Sequence, residues 1–173
     1  MPFLSRAGCD LHFEVHGAGP PLVFAHGLGG NHLSWWQQLA YFGPRFTCVT
    51  LSFRGFGASR VSAGDPGPAA FADDILALLD HLDLDSVALI AQSMGGWPAT
   101  EIAARHPERL RGLVLANTVG SVTHPELEAI FAEHQRIDPL ASIPPGVRPA
   151  AGARLAREQP AMHFLYTQLN AMS

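Results

Sequence analysis

The stretch Val87-Ala88-Leu89-Ile90-Ala91-Gln92-Ser93-Met94-Gly95-Gly96 constrains the fold more than any other part of the chain. An apolar run with the character of a buried strand meets a serine, and a helical pattern follows at once. Small residues, Ala91 and Gly95, stand two positions before and two after Ser93. This is the layout of a nucleophile elbow, a sharp strand-to-helix turn that presses two backbones together and holds its serine in a strained conformation. The turn places Ser93 at the positive end of a helix and aims the Met94 N–H where an oxyanion would form. An ordinary strand–helix turn with a serine N-cap has the same local spelling, so the reading depends on its surroundings.

Those surroundings alternate between strand and helix patterns, as in an α/β sheet. Residues 11–16 alternate apolar and polar side chains, and the turn at 7–10 predicts a hairpin beginning at Phe3. Further strands are expected at 22–25, 46–51, 86–91 and 110–116, and helices at 33–42, 69–82 and 94–105. In the second of these helices Phe71, Ile75, Leu78, Leu79 and Leu82 share one face, with Asp73 and Asp74 in the first turns. From 121 onward prolines at 125, 139, 144, 145, 149 and 160 interrupt short helical pieces. The expected organisation is a core over 1–120 and a helical, cap-like segment over 121–173.

Composition narrows the partners. The chain has 173 residues, 47% hydrophobic and 15% charged, enough for a sizeable core. Its net charge is -4, and its 11 basic residues, all arginine, form no run or stripe, so no nucleic-acid partner is expected. No stretch has the apolar length of a membrane span, and the N-terminus lacks the layout of a signal peptide. Cys9 and Cys48 give neither a disulfide framework nor metal spacing, which points to a reducing, cytoplasmic setting.

Two more motifs stand at the ends of expected strands. His26-Gly27-Leu28-Gly29-Gly30 follows the strand at 22–25, and such a glycine loop turns backbone N–H groups into the crevice above the sheet. The Leu28 N–H is the second oxyanion donor beside Met94, while the His26 side chain reads as a brace for the loop. Phe53-Arg54-Gly55-Phe56-Gly57-Ala58-Ser59 follows the strand at 46–51, with Arg54 as an anchor.

Taken together, these motifs and the stretch from Arg105 to Leu115 resemble the α/β-hydrolase fold superfamily, in the right order over residues 3 to 118. The resemblance implies a mostly parallel sheet with helices on both faces, incomplete at its C-terminal side, and a partial helical cap from 121. It implies Ser93 as nucleophile, Leu28 and Met94 as oxyanion hole, and His26, Gly27, Gly29 and Gly95 as motif residues. Three positions depart from the pattern. Ala91 replaces a glycine, Ser52 stands where the family often has an aspartate before the loop arginine, and Pro98 lies just inside the nucleophile helix. A serine in place of an aspartate argues against haloalkane dehalogenase chemistry.

The family's order of serine, then acid, then histidine is not completed. Asn117-Thr118 follows the strand at 110–116, where some members carry the acid. His124, His134 and His163 are the histidines that could hang over the crevice as a base, or sit exposed on cap helices. His12, His16, His32, His81 and His106 show no metal-ligand spacing. Glu101, Asp73 and Asp74 read as solvated helix faces; Trp35 and Trp36 either border a substrate entrance or pack in the core, the commoner role in an amphipathic helix, and Trp97 reads as packing. The strand at 110–116 is apolar for a free edge, so the chain is expected to be a fragment or to pair that edge in a homodimer. The leading function is a serine hydrolase acting on a small ester, lactone or related carbonyl compound, with no metal or organic cofactor. The alternative is a truncated, non-catalytic binding or interaction domain of the same fold.

Overall fold

The computed structural model describes residues 2–134, 145, 147 and 150–172. Strands β1 (Phe3–Arg6) and β2 (Cys9–His16) form the expected antiparallel hairpin. After β3 (Pro21–Ala25), a short 3-10 turn (His32–Trp35) leads into α1 (Trp36–Phe42), followed by β4 (Thr47–Leu51) and the two-residue β5 (Arg60–Val61). Then come α2 (Phe71–His81), β6 (Val87–Gln92), α3 (Gly96–Arg105) and β7 (Leu110–Ala116). The sheet order is β1-β2-β4-β3-β6-β7, with β5 pairing β2. Strands β4, β3, β6 and β7 are parallel, and β2 joins β4 antiparallel.

This order positions the site. From β3 the chain moves outward to β4 and then returns to β6 on the other side of β3. A parallel sheet opens a crevice at such a reversal, beyond the carboxyl ends of the two strands. Ala25 pairs with Ala91, so β3 and β6 end level and release the His26 loop and Ser93 side by side.

Period-two alternation divides the side chains between two faces. One face carries Leu11, Phe13, Val23, Val49, Leu51 and Leu89, which pack with Phe71, Ile75, Leu78 and Leu79 of α2 and Ala99 and Ile102 of α3. Burying each large side chain there stabilises the fold by roughly 1.5–3 kcal/mol. The other face carries Leu22, Phe24 and Cys48 against Trp35, with Leu39 and Phe42 of α1 beside them. Both cysteines are buried and unpaired.

Helix starts differ from the sequence reading by a turn. The expected helix at 33–42 splits because Asn31 caps it: its side chain accepts the Leu33 N–H while the Ser34 hydroxyl accepts the Asn31 N–H. The helix expected from 69 opens with a 3-10 turn (Gly67–Ala70), and α3 opens with another (Ser93–Gly95). Pro98 is buried at the third residue of α3, close enough to its start for a proline to be tolerated. Strand β7 is an edge among the described residues, with Val114 and Leu115 exposed on it.

Two packing readings need correction. Asp74 is fully buried, because α2 turns it inward onto Arg54 and Arg6, and only Asp73 of that pair is exposed. Of the tryptophans, Trp35 is buried but Trp36 and Trp97 are exposed, since each faces away from the core stripe of its helix.

The chain divides into two compact units, Met1–Ser121 with Met172–Ser173, and Val122–Ala171. The second holds α4 (Pro125–His134), α5 (Gly152–Glu158) and α6 (Pro160–Ala171), and α5 and α6 pack on each other. Among the described residues no helix is long and apolar enough to cross a membrane.

Candidate functional site

Gln92 ends β6 in an extended conformation, and Ser93 then takes φ +50°, the left-handed region that a residue with a side chain enters only under strain. The 3-10 turn follows immediately, so the peptide dipoles of that turn and of α3 begin at this serine. Gly95 is forced by close approach: a Cβ there would strike the Ala25 carbonyl and lie 2.9 Å from that of His26. Gly27 meets the elbow from the opposite side, where a Cβ would strike the Gln92 side chain and come within 3.0 Å of the Ser93 Cβ. The two glycines let the ends of β3 and β6 touch.

Ser93 is half-buried and Met94 buried, while the Leu28 side chain is 76% exposed. Between Gly27 and Gly30 the loop closes a turn, with the Gly30 N–H donating to the Gly27 carbonyl at 2.9 Å and Gly29 at φ +73°. Leu28 sits inside this turn, with its own N–H outside the closing bond. The Met94 N–H belongs to the first turn after the elbow, where backbone donors have no partner within the helix.

The His26 ring is a brace between two loops. The Phe53 N–H donates to its Nε2 at 2.9 Å, which puts the ring proton on Nδ1, where it donates to the Gly27 carbonyl at 2.8 Å. Phe53 and Phe56 pack on the ring. Burial lowers the His26 pKa to about 4, so the imidazole stays neutral and keeps this tautomer. Arg54 anchors the next loop. Its Nη2 donates to Asp74 at 2.7 Å, and its Nη1 donates to Asp65 at 2.9 Å and to the Ala7 carbonyl at 2.6 Å. The Asp74 carboxylate, first among these partners, raises the arginine pKa further. Ser52 serves anchoring too, accepting the His32 N–H at 3.2 Å and the Ser59 hydroxyl at its carbonyl at 2.6 Å.

Among the described residues no hydrogen bond reaches the Ser93 hydroxyl. Asn117, at φ +52° just past β7, brings no carboxylate. His124 lies exposed before α4 and accepts the Glu126 N–H at its Nδ1, and His163 lies within α6. The His134 side chain lies outside the described residues.

One grouping escaped the sequence reading, which found no metal-ligand spacing among the histidines. His12 and Glu14 of β2 and His32 of the 3-10 turn each offer a ligand atom, all within 4.8 Å of one another. The alternation His12, Glu14, His16 along β2 was the available signal, since residues two apart share a face. Its third member comes from a separate loop, and only the folded sheet supplies it.

With this geometry in view, comparison with known proteins places the chain. The family model described as alpha/beta hydrolase fold matches residues 20–171. A 3-oxoadipate enol-lactonase of Acinetobacter baylyi is 33% identical over 143 residues, covering 80% of this chain and 54% of that protein. The structure of a thermophilic esterase from Thermogutta terrifontis superposes with a TM-score of 0.71 at 29% identity, covering 93% of this chain and 61% of that one. An enol-lactonase from Burkholderia xenovorans reaches 0.74 at 24% identity, covering 98% and 67%, which speaks for the fold. The chain spans about half the length of the curated relatives it matches.

Proposed function

The chain belongs to the alpha/beta hydrolase fold family, and on that premise we propose that it carries the nucleophile and oxyanion hole of a serine hydrolase acting on small esters or lactones. The observation behind the proposal is the strained Ser93, at φ +50° between β6 and α3, level with the loop that holds Leu28. In this reading the Ser93 Oγ attacks the carbonyl carbon while its proton passes to a base. The carbonyl oxygen becomes an oxyanion that accepts the Leu28 and Met94 N–H groups, and such donors are worth about 3–4 kcal/mol each at the transition state. Collapse breaks the bond to the alkoxy oxygen, which leaves as an alcohol, and an acyl group remains on Ser93. Water then attacks the acyl carbon, releases the carboxylic acid and returns a proton to the Ser93 oxygen. With a lactone, acid and alcohol are one molecule.

Similarity to an enol-lactonase and an esterase supports the substrate class. The neutral, fully paired His26 serves this mechanism as a brace, leaving catalysis to the backbone donors. The second reading is a non-catalytic binding or interaction domain of the same fold. Labelling with a fluorophosphonate probe separates the two. Modification of the wild-type chain that disappears in Ser93→Ala is the expected result. A folded wild-type sample that stays unlabelled overturns an activated Ser93 in these 173 residues and restricts the hydrolase reading to a longer parent protein.

A further inference from the structure

The face of β2 turned away from the main core holds a polar cluster that the hydrolase reading does not use. His12 has no solvent exposure, and neither of its ring nitrogens has a hydrogen-bond partner among the described residues. A buried imidazole without partners is costly, because desolvation of its nitrogens is left uncompensated. Opposite Glu14 in the sheet stands Thr50, whose buried hydroxyl is also unpartnered. The His32 ring lies against His12 with centroids 4.3 Å apart, and the His32 Nε2 is 3.8 Å from Glu14 Oε1. Two adjacent imidazoles, tilted 58° to each other, and a carboxylate form a donor set in which one ring has no partner among the described residues.

We propose that His12, Glu14 and His32 bind one divalent transition cation of the zinc class. Two imidazole nitrogens and one carboxylate oxygen are a donor set that such cations take, with a fourth position left for water. Ligands at zinc distances in a tetrahedron stand roughly 3.4 Å apart, so atoms now within 4.8 Å close by at most about 1.4 Å to reach them.

The surroundings supply orientation. His32 Nδ1 lies 2.9 Å from the Ser52 hydroxyl, and a proton donated there leaves Nε2 as the ligand atom. On the other side, His16 Nε2 lies 3.0 Å from Glu14 Oε2 and holds the carboxylate with Oε1 toward His32. His16 is therefore a positioning residue. The bound ion ties β2 to the 3-10 turn that ends the Leu28 loop, and so acts as a staple on the fold. This inference is independent of any reaction at Ser93.

The test is calorimetric titration of the chelator-stripped chain with Zn2+ alone, with Co2+ as a spectroscopic substitute. The expected result is one saturable site, a tetrahedral Co2+ visible spectrum, and a thermal midpoint that rises with Zn2+ and falls on chelation. Glu14→Gln, His12→Asn and His32→Asn each weaken binding at least about tenfold, and His16→Asn weakens it less. His81→Asn leaves binding unchanged. Glu14 is half-buried on the strand, so Glu14→Gln folds and keeps the proposal testable where a histidine variant does not. Absence of one-to-one binding by the folded wild type overturns the proposal, as does binding of equal strength in Glu14→Gln.

Discussion

His26 and His12 are both shut off from solvent, at 1% and 0% exposure, yet their nitrogens meet opposite fates. His26 accepts a backbone N–H on one nitrogen and faces a carbonyl with the other. His12 is packed edge-on by Phe3 and against His32, and pairs neither nitrogen among the described residues. Arg54 belongs with His26, since its guanidinium is matched by Asp74, Asp65 and a carbonyl. Buried polar groups here are of two kinds. Around the crevice they are satisfied within the chain and hold loops in place. On the outer face of β2, the His12 ring and the Thr50 hydroxyl have no hydrogen-bond partner among the described residues. The two kinds respond oppositely to mutation, because a missing partner strands a charge or donor whereas removing an unpaired group strands nothing.

The largest effect separating them is expected at Asp74. Asp74→Ala leaves Arg54 buried without its main partner and costs about 3–5 kcal/mol, read from urea denaturation. Acid tests His26 next. Its folded pKa of about 4 lies below the usual 6.5, so between these values the unfolded chain binds a proton that the folded chain refuses. Stability contributed by the neutral ring is complete above pH 6.5, declines as pH falls and is lost near pH 4, a loss of about 3 kcal/mol. Comparing His26→Gln with wild type at pH 7 and pH 4 isolates this term, and an identical acid slope in both proteins contradicts it. At the elbow, Ser93→Gly relieves the left-handed strain and raises stability by about 1 kcal/mol in thermal melts, while abolishing probe labelling. The smallest effect is at His12: in chelator, His12→Leu changes stability by less than about 1 kcal/mol. A loss comparable to that at Asp74 would place His12 among the satisfied groups and erase the contrast.

Most of the scaffold was legible in the sequence because each signal was local. Alternation along residues 11–16, the apolar run before Ser93 and the face shared by Phe71, Ile75, Leu78 and Leu79 depend only on near neighbours and appear as β2, β6 and α2. Helix starts were displaced because 3-10 turns at 32–35, 67–70 and 93–95 use the same residue types as the helices they open. The two-residue β5 was too short to leave a periodic trace. At the candidate site, the glycine loop and the small residues around Ser93 were readable from spelling, since close backbone approach demands residues without bulk. Asp74 was misread as solvated because an acid in a first helical turn is usually exposed, and its partner Arg54 comes from a different loop.

The amino-acid sequence alone determined the alternation of strands and helices, the elbow at Ser93 and the loop that carries Leu28, all set by short-range sterics and hydrophobic periodicity. Which buried polar groups find partners was decided only by the tertiary structure. Sheet order brings β2 beside β4 and sets the loop after β3 against it, so that His32 reaches His12 and Glu14 across residues that spacing keeps far apart.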